Sequence, residues 1–168
     1  MKAIDETIVN RIRDRLVAAD QTLAVAESVT AGMLQVAFSS AFNATAFFQG
    51  GITAYNLGQK ARHLLLDPIH GERCNCVSAY TATTMAENCC TLFSSDWGIG
   101  ITGYASPMPE AGVTQLYAFY SIAKNKKEIT AGKIPAASEE PLAVRYFFCN
   151  EILTHFQATL QSGSIVSL

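Results

Sequence analysis

The sequence predicts an α/β fold: a three-layer α/β/α sandwich built on a mixed, mostly parallel sheet. Three observations carry this. Helical and strand-like apolar periods alternate along the chain, which implies a sheet covered by helices on both faces. Two apolar runs near residues 113–134 are joined by a lysine-rich turn, which adds an antiparallel hairpin. Finally, 168 residues suffice for one domain with a substantial core, with no internal repeat, low-complexity segment or linker to divide them. The whole chain, 1–168, is read as one domain, with 161–168 a frayed, flexible tail.

The elements follow in order. From Ile4 to Ala19 the apolar residues Ile8, Val9, Ile12, Leu16 and Val17 recur at helical spacing. Thr22 to Ala26 reads as a short buried strand, and Thr30 to Phe42 returns to helix. Ala46 to Tyr55 is aromatic and β-branched around Gly50-Gly51, a strand with a bulge or a close backbone approach. Leu57 to Leu66 reads as a helix ended by Asp67-Pro68. Ser78 is placed to cap a helix that runs to about Phe93. Trp97 to Thr102 is a strand, Gly103 to Gly112 a loop, Val113–Ala123 and Glu128–Ile134 a hairpin, and Glu139 to Leu160 a final helix.

Composition narrows the function classes. The chain is 49% hydrophobic and 15% charged, with a formal charge of −2. Its one basic cluster, Lys124, Lys126 and Lys127, reads as a solvated turn, so no nucleic-acid partner is expected. Asp5 and Glu6 interrupt any signal-peptide pattern, and no apolar run nears the ~20 residues of a membrane span. The expectation is a cytoplasmic protein with no membrane partner. Its five cysteines, Cys74, Cys76, Cys89, Cys90 and Cys149, form no disulfide framework, and Cys74-x-Cys76 with His63 and His70 lacks zinc-site spacing. No metal is expected. Apolar faces on an isolated domain of this size favour a homo-oligomer.

The segment Ala24-Val25-Ala26-Glu27-Ser28-Val29-Thr30-Ala31-Gly32 is the strongest candidate for chemistry. A strand that turns abruptly into a helix sets Ser28 beside backbone N–H groups with no intrahelical partner, a place for an anion or a developing oxyanion. Serine needs a base to act as a nucleophile. No histidine lies in a segment that returns to this turn, whereas Lys60, one turn into the helix after the Ala46–Tyr55 strand, is within reach. A desolvated lysine can serve as that base, and Tyr55 could hold it or relay a proton. On spacing alone, Ser28 as a helix cap, Tyr55 as a core aromatic and Lys60 as a solvated cation are the favoured readings, because caps and solvated lysines are far commoner than dyads. The third segment, Gly98-Ile99-Gly100-Ile101-Thr102-Gly103-Tyr104-Ala105-Ser106-Pro107, ends a strand at the sheet's carboxyl edge, where α/β folds bind ligands. Its glycines do not open a dinucleotide-binding fingerprint.

Together the three segments resemble the C-terminal domain of the CinA (competence/damage-inducible) family, which also occurs as a stand-alone nicotinamide mononucleotide deamidase. The family shows Ala-Glu-Ser-x-Thr-Gly-Gly, then Tyr-Ser-Asn-x-x-Lys, then (Thr/Ser)-Gly-Ile-Ala-Gly-Pro. This chain has Ala26-Glu27-Ser28-Val29-Thr30-Ala31-Gly32, Tyr55-Asn56-Leu57-Gly58-Gln59-Lys60 and Thr102-Gly103-Tyr104-Ala105-Ser106-Pro107, and Val77-Ser78 matches the family's Val-Ser before a long helix. The resemblance implies a serine/lysine amidohydrolase without cofactor or metal, converting nicotinamide mononucleotide to nicotinate mononucleotide and ammonia. It implies Ser28 as nucleophile, Lys60 as base and Tyr55 as its assistant, with amides at the start of the Thr30 helix holding the oxyanion. Thr30, Ala31, Gly32, Thr102, Gly103 and Arg145 would bind a pyridine nucleotide or related amide. Where the family has a glycine-rich loop this chain has Ser106-Pro107-Met108-Pro109-Glu110-Ala111-Gly112, and where it has Gly-Asp-Arg this chain has Ala136-Ala137-Ser138-Glu139-Glu140-Pro141. Those departures motivate two other readings: a non-catalytic nucleotide-binding or regulatory module on the same fold, and a hydrolase of an unphosphorylated amide.

Overall fold

The computed structural model describes residues 3–137 and 140–162. Five strands form one sheet in the order β2-β1-β3-β4-β5, with β1 Leu23–Glu27, β2 Phe48–Thr53, β3 Trp97–Gly103, β4 Leu116–Lys124 and β5 Lys127–Ala136. β1 pairs in parallel with β2 and β3, and β4 pairs antiparallel with β3 and β5. Four strands therefore share one direction and only β4 opposes them: a mixed sheet of mainly parallel strands, as the sequence predicts. Helices α1 (Glu6–Ala18), α2 (Met33–Ser39) and α6 (Pro141–Ser162) pack together on one face, and α3 (Leu57–Leu64), α4 (Pro68–Arg73) and α5 (Ala79–Phe93) on the other.

The two faces are built differently. Against α1, α2 and α6 the sheet presents Leu23, Val25, Ile99, Ile101, Tyr120 and Ile122, which bury large side chains with Ile12, Leu16, Phe38, Phe148 and Phe156. Against α5 it presents small residues, Ala24, Ala26, Gly98 and Gly100. A Cβ on Gly98 or Gly100 would lie 2.2 Å from the carbonyl oxygens of Ala86 and Ala82. The Gly98-x-Gly100 pattern is thus a packing device that lets α5 rest directly on β3.

Several boundaries differ from expectation for identifiable reasons. α2 starts at Met33, not Thr30, because Ala31 (φ 52°) and Gly32 (φ 100°) form a left-handed turn before it. Asp67-Pro68 does not merely end α3. The Asp67 carboxylate accepts from the Ile69 N–H and Pro68 occupies the first helical position, so the pair opens α4, a helix that periodicity did not reveal. α6 begins at Pro141 and runs through Gln161 and Ser162, so those two residues of the expected tail are helical. Residues 163–168, like Ser138 and Glu139, lie outside the described residues. Among the described residues no helix is long and apolar enough to cross a membrane.

Candidate active site

β1 is buried along its whole length and ends on a charge, Glu27, which is also buried. A buried carboxylate must be fully hydrogen-bonded, and the turn that follows supplies the donors. Oε2 of Glu27 accepts from Thr30 Oγ1 (2.6 Å), Gly32 N (3.1 Å) and Leu34 N (3.0 Å), while Oε1 accepts from Gln35 N (2.9 Å) and Gln35 Nε2 (3.2 Å). Glu27 therefore caps α2. The turn must fold back tightly to do this, which places Ala31 in the left-handed region at a cost of about 1–2 kcal/mol for a residue with a Cβ.

This overturns two expectations. The amides of Gly32, Leu34 and Gln35 donate to Glu27, and those of Ala31 and Met33 to the Ser28 and Thr30 carbonyls, so none of these is free to hold an oxyanion. Thr30, Ala31 and Gly32 also do not line the cleft beside Ser28: the Thr30 hydroxyl is bonded to Glu27, and Ala31 and Gly32 form the turn behind it. The N–H groups of Val29 and Thr30 have no partner among the described residues, and Val29 is on the cleft wall.

Ser28 is fixed from both sides. Its N–H donates to the Ile101 carbonyl (3.0 Å), its own carbonyl accepts from Ala31 N (3.1 Å), and the Ala54 N–H donates to Glu27 O (2.9 Å), tying in the end of β2. The chain leaving β2 passes Tyr55 to Asn56, whose side chain caps α3 by accepting from Gln59 N. In this register the inward face of α3 carries Lys60 and Leu64, one turn apart. Lys60 is only 2% exposed, and its Nζ lies 2.9 Å from Ser28 Oγ. Among the described residues no carboxylate forms an ion pair with it. Burial lowers its pKa below the lysine value of 10.5, opposed only by an electrostatic influence of the nearby Cys76 thiol.

A cleft of about 490 Å3 opens in front of the pair, within the usual range for small-molecule sites. Tyr55, Thr102, Gly103 and Arg145 line it, together with Glu72, Asn75, Cys76 and Tyr104, which the sequence reading did not name as site residues. Among the described residues Tyr55 makes no hydrogen bond to the lysine. Its ring is 61% exposed, and its hydroxyl accepts a long hydrogen bond (3.4 Å) from Arg145 Nη2. Arg145 is anchored by Nε to the Val29 carbonyl (3.1 Å), and its Nη1 makes no bond among the described residues. Thr102 lies on the cleft wall, but its hydroxyl donates to the Cys76 carbonyl (2.7 Å). The role of Glu27 had one signal in the sequence, an acid closing an otherwise apolar buried strand. The Cys76 turn had none.

Residues 5–159 match the family model of the CinA C-terminal domain. The chain is 30% identical over 161 residues to a competence-damage inducible protein of Streptococcus uberis, spanning 96% of this chain and 37% of that one. It is 33% identical over 142 residues to a protein of the same name from Streptococcus pyogenes serotype M5, spanning 84% and 33%. The chain thus spans about a third of the length of these curated relatives. Among solved structures, a CinA superfamily protein from Enterobacter cloacae superposes with a TM-score of 0.86 at 25% identity, over 94% of both chains. One from Klebsiella pneumoniae reaches 0.87 at 21% identity, over 94% of this chain and 98% of that one, a likeness of fold.

Proposed function

The chain belongs to the CinA C-terminal domain family, and from that premise we propose that it is an amidohydrolase of the nicotinamide mononucleotide deamidase type, with Ser28 as nucleophile and Lys60 as base. The observation that supports this most is the 2.9 Å approach of a buried lysine, without a carboxylate partner among the described residues, to a serine hydroxyl on the wall of an open cleft. A charged ammonium could only donate to Ser28. A neutral amine presents a lone pair and can take the hydroxyl proton, and burial favours the neutral form.

In this reading Lys60 Nζ accepts the Ser28 proton as Oγ bonds to the carboxamide carbon. The carbonyl π electrons move onto oxygen, and the Val29 N–H, which has no partner among the described residues, is the candidate donor for that oxyanion. Collapse of the tetrahedral adduct breaks the C–N bond, and the Lys60 ammonium returns the proton to the departing amine, which leaves as ammonia. Water then attacks the Ser28 ester with Lys60 again as base, releasing the carboxylate and restoring the serine. Arg145 supplies a cation for the substrate's phosphate, and Tyr55 holds that guanidinium.

The test is ammonia release from nicotinamide mononucleotide by the wild-type protein, Ser28→Ala and Lys60→Ala. The expected result is wild-type turnover with a loss of about 10³-fold in either variant, typical for removal of a nucleophile or its base. Equal rates in all three overturn the assignment. One observation favours a second reading: Pro107 and Pro109, which lack N–H donors, replace residues of a glycine-rich anion loop. Calorimetric binding of the nucleotide without ammonia release would make the domain a nucleotide-binding module.

A further inference from the structure

Immediately past β3, the wall of the cleft carries a tyrosine whose hydroxyl is only half satisfied. Tyr104 is 8% exposed, and its ring stands edge-on to Tyr117 with centroids 5.6 Å apart. Tyr117 is itself covered by Lys133, whose Nζ lies 3.9 Å from the ring centroid. The phenol oxygen of Tyr104 accepts from Asn75 Nδ2 (3.3 Å), and its own proton has no acceptor among the described residues. A buried donor left without an acceptor is costly, so this one calls for a partner in the cleft. Asn75, on the same wall, offers a second group, because its Oδ1 also has no partner among the described residues.

Both groups are held in place. Asn75 (φ 49°) and Cys76 (φ 57°) are consecutive left-handed residues, and neither is glycine. Such a conformation persists only where its surroundings over-determine it. The Cys76 N–H donates to Gly71 O (2.8 Å), and Thr102 Oγ1 donates to Cys76 O (2.7 Å). The Tyr104 N–H continues the sheet ladder by donating to Tyr117 O (2.9 Å). Glu27 pairs with Ile101, so Ser28 is level with Thr102. Tyr104, two residues on, stands roughly 7 Å farther out along the strand direction. A donor and an acceptor are thus fixed side by side, beyond the point where the serine acts.

We propose that Tyr104 and Asn75 form a subsite for the hydroxyls of a sugar attached to the amide, so that the site takes a glycosylated carboxamide rather than a bare one. This rests on the Ser28–Lys60 reading of the site. A sugar hydroxyl both donates and accepts. Of two vicinal hydroxyls, one accepts from the Tyr104 O–H and the other donates to Asn75 Oδ1. A phosphate or carboxylate fits less well, because it would meet the Asn75 oxygen with a lone pair, and an apolar group would leave the Tyr104 proton unpaired. Glu72, three residues before Asn75 on α4, is the one carboxylate among the described lining residues and adds an acceptor from the same end of that helix. The guanidinium of Arg145 comes instead from α6, in the other helical layer. Hydroxyls and phosphate are therefore recognised from different layers of the domain.

The experiment compares nicotinamide mononucleotide with its 2′,3′-dideoxyribosyl analogue, by calorimetric binding and by ammonia release. The proteins are wild type, Tyr104→Phe, which removes only the hydroxyl, and Asn75→Gly, which suits a left-handed backbone. With the mononucleotide, Tyr104→Phe is expected to raise Kd and KM about three- to tenfold, as for the loss of one neutral hydrogen bond, while kcat changes far less. Asn75→Gly moves both constants in the same direction. With the dideoxy analogue all three proteins coincide, because the groups that the subsite binds are gone. Equal Kd and KM in wild type and Tyr104→Phe for the mononucleotide overturn the proposal. So does an equal penalty for both ligands, which marks a merely structural hydroxyl. If Tyr104→Phe does not fold, Asn75→Gly carries the same comparison. The two readings fail separately. A Kd that depends on the sugar hydroxyls without ammonia release removes the amidohydrolase, and ammonia release indifferent to those hydroxyls removes the subsite. A wild type that binds neither ligand overturns both.

Discussion

Replacing Glu27 removes the acceptor on which the whole Ser28 turn converges. In Glu27→Ala three backbone N–H groups, of Gly32, Leu34 and Gln35, lose their partner, as does the Thr30 hydroxyl. The Leu34 bond is buried and those of Gly32 and Gln35 are partly buried. An unsatisfied buried donor costs about 1–3 kcal/mol. Taking the middle of that range for Leu34 and about half of it for the two donors that water can reach gives about 4 kcal/mol. For a domain of this size that corresponds to a fall in Tm of about 8–16 °C. Glu27→Gln keeps the shape and one acceptor oxygen but turns an NH2 towards donors, so it should cost about 2 kcal/mol. Urea titration with two probes measures both. The account requires the order wild type, Gln, Ala, with the midpoint falling and the m-value unchanged. A Glu27→Ala protein within about 0.5 kcal/mol of wild type would refute the reasoning, because the five contacts would then carry no net energy.

Two further perturbations test the neighbouring residues. Ala31→Gly removes a Cβ from a left-handed residue (φ 52°); relief of that strain, less the added entropy of the unfolded chain, should stabilise the protein by up to about 1 kcal/mol, read as a rise in Tm. Lys60→Met removes a group whose charged form is disfavoured in the folded state. Because the folded pKa lies below the unfolded value near 10.5, the unfolded chain binds more protons between the two, and wild-type stability rises with pH across that window. The methionine variant should therefore be the more stable protein at neutral pH, with the difference shrinking as pH approaches 10.5; a constant difference would contradict a buried, destabilised ammonium.

How far these features were legible depends on how local their causes are. Strand and helix order could be read because apolar period is a local property, and the approach of Lys60 to Ser28 followed from the order of β1, β2 and α3. α4 escaped because six residues with Gly71 in the middle carry almost no periodicity, and its opening Asp67-Pro68 also looks like a helix stop. The late start of α2 was hidden because alanine at position 31 gives no sign of a positive φ. Thr30 and Thr102 enter as substrate contacts through the family resemblance; only the tertiary structure reveals that both hydroxyls are bonded, one to Glu27 and the other to the Cys76 carbonyl. The path of Arg145 from α6 to the Val29 carbonyl spans most of the chain, and its place at the cleft came from resemblance rather than from spacing.

The central claim is that a neutral, buried Lys60 activates Ser28. Its most direct test is the pH dependence of kcat/KM for nicotinamide mononucleotide, which reports ionisations of the free enzyme, set beside the NMR titration of Lys60 in the same protein. The account predicts that the rate rises with pH along a limb whose midpoint coincides with that of Lys60 and lies below 10.5. A rate that stays flat through the Lys60 midpoint, or a Lys60 that titrates as an ordinary lysine, would contradict it.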